Sequence, residues 1–404
     1  MKKETKVLLW LLGAMYFAQG LSTGIFHTSL FQHMLAAGVK GKEYGGVMTI
    51  ALLPWIWKFI AGPFLDRFGG YRLGVIVAST VAMVTLGMTN LIETPTLKWM
   101  TLIVFIHSAA TAYGDVAIDG WVLALTSRDE RGAVQAVTRI FKTVGLLIGG
   151  GGLILLSGYF PWSSYVVVAA CLTGLPTIIA IFGKLKSPPR EMKTTWRETF
   201  GILKKLLTLT SIVAAAVAVL SYIHAVTMWL VQPWFTSVIR CGKDEIGAIE
   251  LVGVAFGVVG AIAGTRITKI FETQRRKALL TGTVVLSVTY VIVGMFMRTL
   301  SPIGAGDIKG LTFLMAMVGV VDGLYAVTLG TFFMDITQKI TKGKGQTTVY
   351  AVFMALISLS LLTIFPQVGM STWEIQHAPM AVIYGGALQL LILIPLRWFK
   401  HNRK

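Results

Sequence analysis

Asp115 and Asp119 lie four residues apart inside the apolar stretch from Tyr113 to Gly132, YGDVAIDGWVLALTSRDERG, and so share one face of a helix. Three cations fall at a comparable depth when the neighbouring apolar runs are laid out as helices. Lys58 is roughly 12 Å from the end of its run, and Asp119 and Asp115 are roughly 10 and 16 Å from theirs, at 1.5 Å per residue. Arg139 and Lys142 sit two turns into the next run, at about the same height. A charge facing lipid at mid-span costs about 2.5 to 3.5 kcal/mol, so all five are expected to face the protein interior and to pair.

This layer supports two chemistries. A salt-bridge network, for example Lys58 with Asp115 and Arg139 with Asp119, would pin three helices together. Alternatively, one acid carries a proton, because desolvation favours the neutral carboxyl, while the spare cation neutralises an anionic solute. On that reading Asp119, then Asp115, are the proton-coupling candidates, and Arg139, Lys142 and Lys58 are the binding candidates. Polar residues at four-residue steps extend the set. Gln19, Thr23 and His27 mark one face of the first run, and His107 and Thr111 lead down to Asp115. Tyr222, His224, Trp229 and Gln232 punctuate the seventh run, and Asp322 stands higher and alone in the tenth.

Metal, cofactor and enzyme chemistry have no comparable support. Cys171 and Cys241 form neither a metal pattern nor an expected disulfide. Gly343-Lys344-Gly345-Gln346-Thr347-Thr348 has some letters of a nucleotide-binding loop without its spacing. The layer offers only Lys, Arg and Asp, with no nucleophile and base set. No cofactor and no catalytic residue is expected.

The elements that hold these residues must be membrane helices. In 404 residues, 55% are hydrophobic and 13% charged, with a mean hydropathy of +0.73, too apolar for a soluble globular chain. Runs long enough to cross about 30 Å of hydrocarbon recur at roughly 8–35, 44–65, 73–92, 99–126, 133–157, 164–183, 206–239, 246–266, 278–298, 309–336, 348–370 and 379–396. The expectation is an all-α membrane protein of twelve transmembrane helices. The first run lacks a small-residue cleavage site and reads as a retained span. Most of the 36 Lys and Arg residues lie in the terminal segments and in the loops on the same side, so both termini are expected in the cytoplasm. The net charge of +18 is spread over short loops rather than gathered on one face, which argues against nucleic acid.

The chain also repeats itself. Gly41-Lys42-Glu43-Tyr44-Gly45 leads into the second run as Gly242-Lys243-Asp244-Glu245-Ile246-Gly247 leads into the eighth, and Gly62 to Arg72 corresponds to Gly264 to Lys277. This predicts an N-terminal six-helix half over 1–183, a cytoplasmic linker over 184–205 and a C-terminal half over 206–404. Within the linker, Thr195 to Lys205 reads as an amphipathic helix on the membrane surface, with Trp196 at headgroup depth. Gly145, Gly149 and Gly152, and Gly253, Gly257, Gly260 and Gly264, are spaced for close helix contact.

Two six-helix repeats joined by a basic linker are the plan of major-facilitator secondary transporters. Asp66-Arg67-Phe68-Gly69-Gly70-Tyr71-Arg72 resembles the D-R-x-G-(R/K)-(R/K) loop of that superfamily, and the resemblance gives Asp66, Arg67 and Arg72, with Arg131, a gating role. Leu53-Pro54-Trp55-Ile56-Trp57-Lys58-Phe59 with Asp66-Arg67, then Asp115-Val116-Ala117-Ile118-Asp119-Gly120, then Glu130-Arg131-Gly132, resembles the branch of muropeptide permeases, acetyl-CoA transporters and bacterial siderophore permeases. The likeness covers roughly the first 145 residues. Gly114 stands where that branch has Gln, and the loop after Asp66 is short. Muropeptide permeases typically carry two further spans, so twelve spans favour the siderophore type. The resemblance implies a monomeric inner-membrane permease with alternating access and proton-coupled import. Its solute would be an iron-siderophore or, alternatively, a muropeptide or other bulky anionic conjugate. Outside the transporter class, a membrane scaffold or an intramembrane enzyme are the rivals.

Overall fold

The computed structural model describes residues 3–30, 33–34, 38–39, 41–68, 70–91, 97–127, 130–153, 159–183, 194–227, 230–300 and 308–399, a few of them by backbone only. All regular elements among these are helical. They fall on the twelve expected runs, numbered here as spans. Span one is Lys3–Gly24 with the π-helical turn Ile25–Ser29, and span two is Gly41–Trp57, a 3-10 turn Lys58–Ile60 and Ala61–Phe68. Spans three and four are Tyr71–Met88 and Leu97–Leu125. Span five is Arg131–Leu147 with the π turn Ile148–Gly152, and span six is Trp162–Thr173 with Leu175–Phe182.

After a linker helix, Trp196–Lys205, span seven runs as Leu209–Leu220, a 3-10 turn Ile223–Thr227 and Val231–Ser237. Spans eight, nine and ten are Lys243–Ile270, Arg275–Thr299 and Ile308–Thr341. Span eleven is Gln346–Leu359, a π turn Ser360–Ile364 and Phe365–Thr372, and span twelve begins with Ala378–Gln389. Among the described residues, nine of these runs are long and apolar enough to cross a bilayer as they stand. The other three, spans one, five and eleven, each carry a π turn.

Span three shows why these helices belong in lipid. Leu73, Val77, Val84 and Met88 are all exposed, at spacings that lay them along one side of the helix. Such an apolar face suits hydrocarbon rather than water. The opposite side, with Val75, Ala78, Ala82 and Leu86, is buried.

The chain forms two compact units. Unit 1 is residues 1–130, 137–203 and 337–355, and unit 2 is residues 131–136, 204–336 and 356–404. The start of span five thus belongs to unit 2, and the end of span ten with the start of span eleven to unit 1.

Inside unit 1, spans one and five touch backbone to backbone. A Cβ on Gly20 would lie 1.9 Å from the carbonyl oxygen of Lys142, one on Gly145 2.1 Å from that of Phe17, and one on Gly149 2.0 Å from that of Leu21. Ser29 donates to the carbonyls of Gly149 at 2.8 Å and Gly150 at 3.0 Å, satisfying two acceptors in the π turn of span five. Gly152, expected to share this contact, meets nothing closer than 3.4 Å. In unit 2, spans eight and ten approach in the same way. A Cβ on Gly260 would lie 1.9 Å from the Val320 oxygen, and one on Gly319 equally close to the Gly253 oxygen.

The linker helix opens with a capping box. The Thr195 N–H donates to Glu198 Oε2 at 2.8 Å and the Glu198 N–H to Thr195 Oγ1 at 3.2 Å. These donors, the Thr195 backbone first and then Lys344 Nζ at 3.0 Å, hold the Glu198 carboxyl down to about 2. Trp196 stays 39% exposed. It lies under the Arg67 guanidinium at 5.0 Å and edge-on to Phe64.

Replacing Gly149 by Val inserts a branched side chain where the Leu21 oxygen sits. The variant is expected to lose about 1–3 kcal/mol of stability, read as a lower melting temperature in detergent, while Gly152→Val is expected to melt near the parent protein.

Candidate functional site

The charged layer centres on one carboxylate in unit 1. Lys58 opens the 3-10 turn Lys58–Ile60 that follows the α-helical segment containing Pro54. From that turn Lys58 Nζ reaches Asp115 Oδ2 at 2.7 Å. Gln19 Nε2 donates to Asp115 Oδ1 at 2.6 Å, and Lys142 Nζ lies 3.8 Å from the same oxygen. Spans one, two and five therefore converge on a single acid of span four. Both ammonium groups also sit over the Trp55 ring, at 5.0 Å and 5.5 Å from its centroid, an attraction of about 0.5–2 kcal/mol each. A cavity of ≈ 30 Å³ lies beside Gln19, Ser79, Thr111 and Asp115.

Asp119 has different company. Its carboxylate accepts the Tyr16 hydroxyl, and it has no cation within ion-pair distance among the described residues. The suggested Arg139–Asp119 bridge does not form. Arg139 is half-buried one turn before Lys142 and makes no ion pair among the described residues. Among the described residues the layer is thus divided into a neutralised Asp115, an Asp119 on a phenol and an Arg139 without a carboxylate partner.

Span one meets span four through residues three apart: Tyr16 on Asp119, Gln19 on Asp115 and Ser22 on His107. The four-residue stripe expected from the sequence is replaced by this ladder. Thr23 spends its hydroxyl on the Gln19 carbonyl of its own helix, and the His27 side chain lies outside the described residues. Beyond the ladder, His107 is held by Thr85 at 3.1 Å and the Ala82 carbonyl at 3.0 Å. Tyr16 and Trp55 were not singled out in the sequence, although a hydroxyl one turn before Gln19 was a usable signal.

Asp322 is not alone. His224 Nε2 lies 3.8 Å from its Oδ1, and the Tyr290 hydroxyl lies 3.3 Å from both oxygens. Tyr222 leans on His224 at 5.3 Å and meets Tyr325 at 6.0 Å, so this part of unit 2 is an aromatic-walled acid. Tyr290, Tyr325 and Gln389 join it unannounced by any motif. Trp229, and the side chain of Gln232, lie outside the described residues.

The motif residues at the end of span two bind helix ends. The Asp66 carboxylate accepts the Thr347 N–H at 3.3 Å, the Thr348 N–H at 2.7 Å, the Thr348 hydroxyl at 2.6 Å and the Tyr71 hydroxyl at 3.1 Å. It caps the first turn of span eleven, where unpaired N–H groups attract negative charge. Arg72 donates to the Ala180 and Ile181 carbonyls at 2.5 Å each, closing the end of span six. Arg67 covers Trp196. In unit 2, Arg131 donates to Asp335 Oδ1 at 2.9 Å, and Arg275 Nε to Oδ2 at 3.2 Å.

Removing one partner of a buried pair strands the other charge, at a cost of about 3–5 kcal/mol. Lys58→Met is therefore expected to lower thermal stability sharply, and Lys58→Met with Asp115→Asn to recover most of the loss. A double-variant loss equal to the sum of the two single-variant losses would show that the pair contributes nothing.

With this geometry in view, comparisons with known proteins are informative. The profile of the Major Facilitator Superfamily matches residues 12–370. The chain is 28% identical over 187 residues to the anhydromuropeptide permease of Escherichia coli strain K12, covering 44% of this chain and 37% of that protein. It is 23% identical over 209 residues to "Putative transporter AmpG 3" of Rickettsia typhi, 48% of each chain. These matches span well under two thirds of those relatives' length. A longer one, to "Putative transporter AmpG 1" of Rickettsia bellii, is 19% identical over 383 residues and covers 89% of both. Among solved structures, a bacterial homologue of the iron transporter ferroportin matches with a TM-score of 0.71 at 14% identity, over 98% of this chain and 99% of that one. The Escherichia coli fucose:proton symporter matches with a TM-score of 0.70 at 14% identity, over 97% and 98%. Twelve helical spans in two repeats and a profile match over most of its length place this multi-pass membrane chain in one family: it belongs to the Major Facilitator Superfamily.

Proposed function

We propose that this transporter is a monomeric inner-membrane importer, with both termini cytoplasmic, that couples inward proton flow to uptake of a bulky anionic solute by alternating access. The observation that carries the reading is the division of labour in the charged layer. Asp115 is neutralised by Lys58 and Lys142, so its charge is committed to structure. Asp119, one turn away on a phenol hydroxyl, is the acid placed to take and release a proton, with Tyr16 holding its carboxylate between turnovers. Arg139, with Lys142 beside it, supplies positive charge for a carboxylate or phosphate of the solute. Tyr222, Asp322, Gln19 and Lys58 are assigned to the rest of the binding surface.

Gating falls to Asp66, Arg67, Arg72 and Arg131. Span two and span eleven come from different sequence repeats, over 1–183 and 206–404. Any motion that parts them must strip the Asp66 carboxylate of its donors from Thr347 and Thr348, each bond to a charged group being worth about 1.5–3 kcal/mol. Arg131 and Arg275 on Asp335 play the corresponding part in unit 2.

For the solute, the names of the curated relatives support an anhydromuropeptide or a similar sugar-peptide anion. A second reading, an iron-siderophore, is supported by the short loop after Asp66.

Asp119→Asn in proteoliposomes is expected to abolish uptake driven by a pH gradient and to leave solute exchange intact; uptake still driven by the gradient removes Asp119 from coupling. Arg139→Ala is expected to weaken solute binding roughly tenfold or more, the worth of one charge-assisted contact. A deletion strain identifies the cargo. Failure to recycle muropeptides, with growth on every single siderophore retained, supports the first solute, and a growth defect on one siderophore the second.

A further inference from the structure

Span seven breaks at His224, and the way the break is repaired decides where protons can sit. In a continuous helix the His224 N–H would bond the Leu220 carbonyl. Here the side-chain amide of Gln389, from span twelve, is spliced between them. Gln389 Oε1 accepts the His224 N–H at 3.2 Å, while Nε2 donates to the Leu220 carbonyl at 3.2 Å and the Ser221 carbonyl at 3.0 Å. Backbone N–H groups only donate and carbonyls only accept, so the amide has one orientation. Its oxygen also lies 2.9 Å from His224 Nδ1, and that nitrogen must therefore carry a hydrogen. The neutral ring then has its bare lone pair at Nε2, which is the atom that faces Asp322 Oδ1 at 3.8 Å.

A lone pair facing a carboxylate is repulsive unless a proton is present on one of the two groups. We propose that His224 and Asp322 form a proton-binding dyad in unit 2, a second proton site distinct from Asp119. The bound species is a single proton, held on Nε2 as imidazolium facing the Asp322 carboxylate. It arrives from water and leaves to water, with no other bond made or broken. Asp322, whose side chain is 36% exposed, is the port, and His224, at 6%, is the buried end. Among the described residues, the titratable groups in contact with the dyad include three phenols: Tyr290 on the carboxylate, and Tyr222 and Tyr325 against the imidazole ring. Gln389, fully buried on its carbonyls, sets the tautomer and is a positioning residue.

The role of the dyad in transport rests on the proton coupling proposed above; its existence does not. The chain has six histidines, and nitrogen-labelled His in the full-length protein in nanodiscs reports each ring nitrogen separately, with His224→Gln assigning the signal. His224 Nδ1 is expected to stay protonated throughout, while Nε2 gains and loses a proton between about pH 5 and 9, the span in which such pairs exchange protons. A second measurement counts protons released by unliganded protein over that window, where Asp322→Asn is expected to release about one fewer per chain than the parent. An Nε2–H tautomer of neutral His224, or an unchanged proton count in Asp322→Asn, overturns the dyad. Proton-driven uptake tested separately with Asp119→Asn fails or holds independently of either result, so the two readings are told apart.

Discussion

Burying the Asp115 carboxylate is the constraint on which unit 1 depends. An unpaired acid inside a membrane bundle is too costly to keep, and here three spans each send a donor to it. Lys58 must leave span two at mid-depth, which it does from the 3-10 turn after Pro54. Gln19 and Lys142 must reach the same acid from spans one and five, which requires those helices to touch along their backbones. The acid one turn further on, Asp119, is left to a phenol, and that asymmetry between two neighbouring carboxylates is what turns a structural pair into a candidate coupling site.

Unit 2 repeats the helical plan and not the chemistry. Where unit 1 gathers cations on a carboxylate, unit 2 surrounds Asp322 with an imidazole and phenols, and gives the burden of a broken helix to the amide of Gln389. The two sets of helix-end contacts differ in the same way. Asp66 caps the start of span eleven through backbone donors, whereas the start of span five is held by Arg131 on Asp335, shared with Arg275. The position that answers to Asp66 in the repeat is Thr268, whose hydroxyl would lie 2.5 Å from a Cβ on Gly132. The contact between these helices is kept, but its charge has moved elsewhere.

Depth was legible in the sequence and azimuth was not. A rise of 1.5 Å per residue puts Lys58, Asp115, Asp119, Arg139 and Lys142 at one level whatever the helices' rotation, and the Lys58–Asp115 pair follows from it. Which neighbour each side chain faces depends on rotation about the helix axis, and here the spans depart from regular α geometry. A π turn in span one, another in span five and a 3-10 turn in span two each shift the angular phase of the residues beyond them. Tyr16, Gln19, Ser22 and Arg139 all precede those turns, in regular α-helix. For them the missing quantity is the rotation of each helix against its neighbour, which residue spacing leaves open. The spacing therefore suggests Arg139 on Asp119 and a stripe through Gln19 and Thr23, where the structure has a ladder through Tyr16, Gln19 and Ser22. Gln389 was invisible for another reason: its value lies in a break in span seven that no local pattern announces.

The contact between spans one and five has a mechanical meaning as well. Gly20 and Gly24 on one helix, and Gly145 and Gly149 on the other, act as notches four residues apart that receive the opposing carbonyls. Two such racks cannot creep past each other. They either stay engaged or slip by a whole notch, about 6 Å at 1.5 Å per residue, which is more than enough to take Lys142 off Asp115. Sliding of span five along span one is therefore all or nothing, and small adjustments around the charged layer must come from bending at the π turns instead.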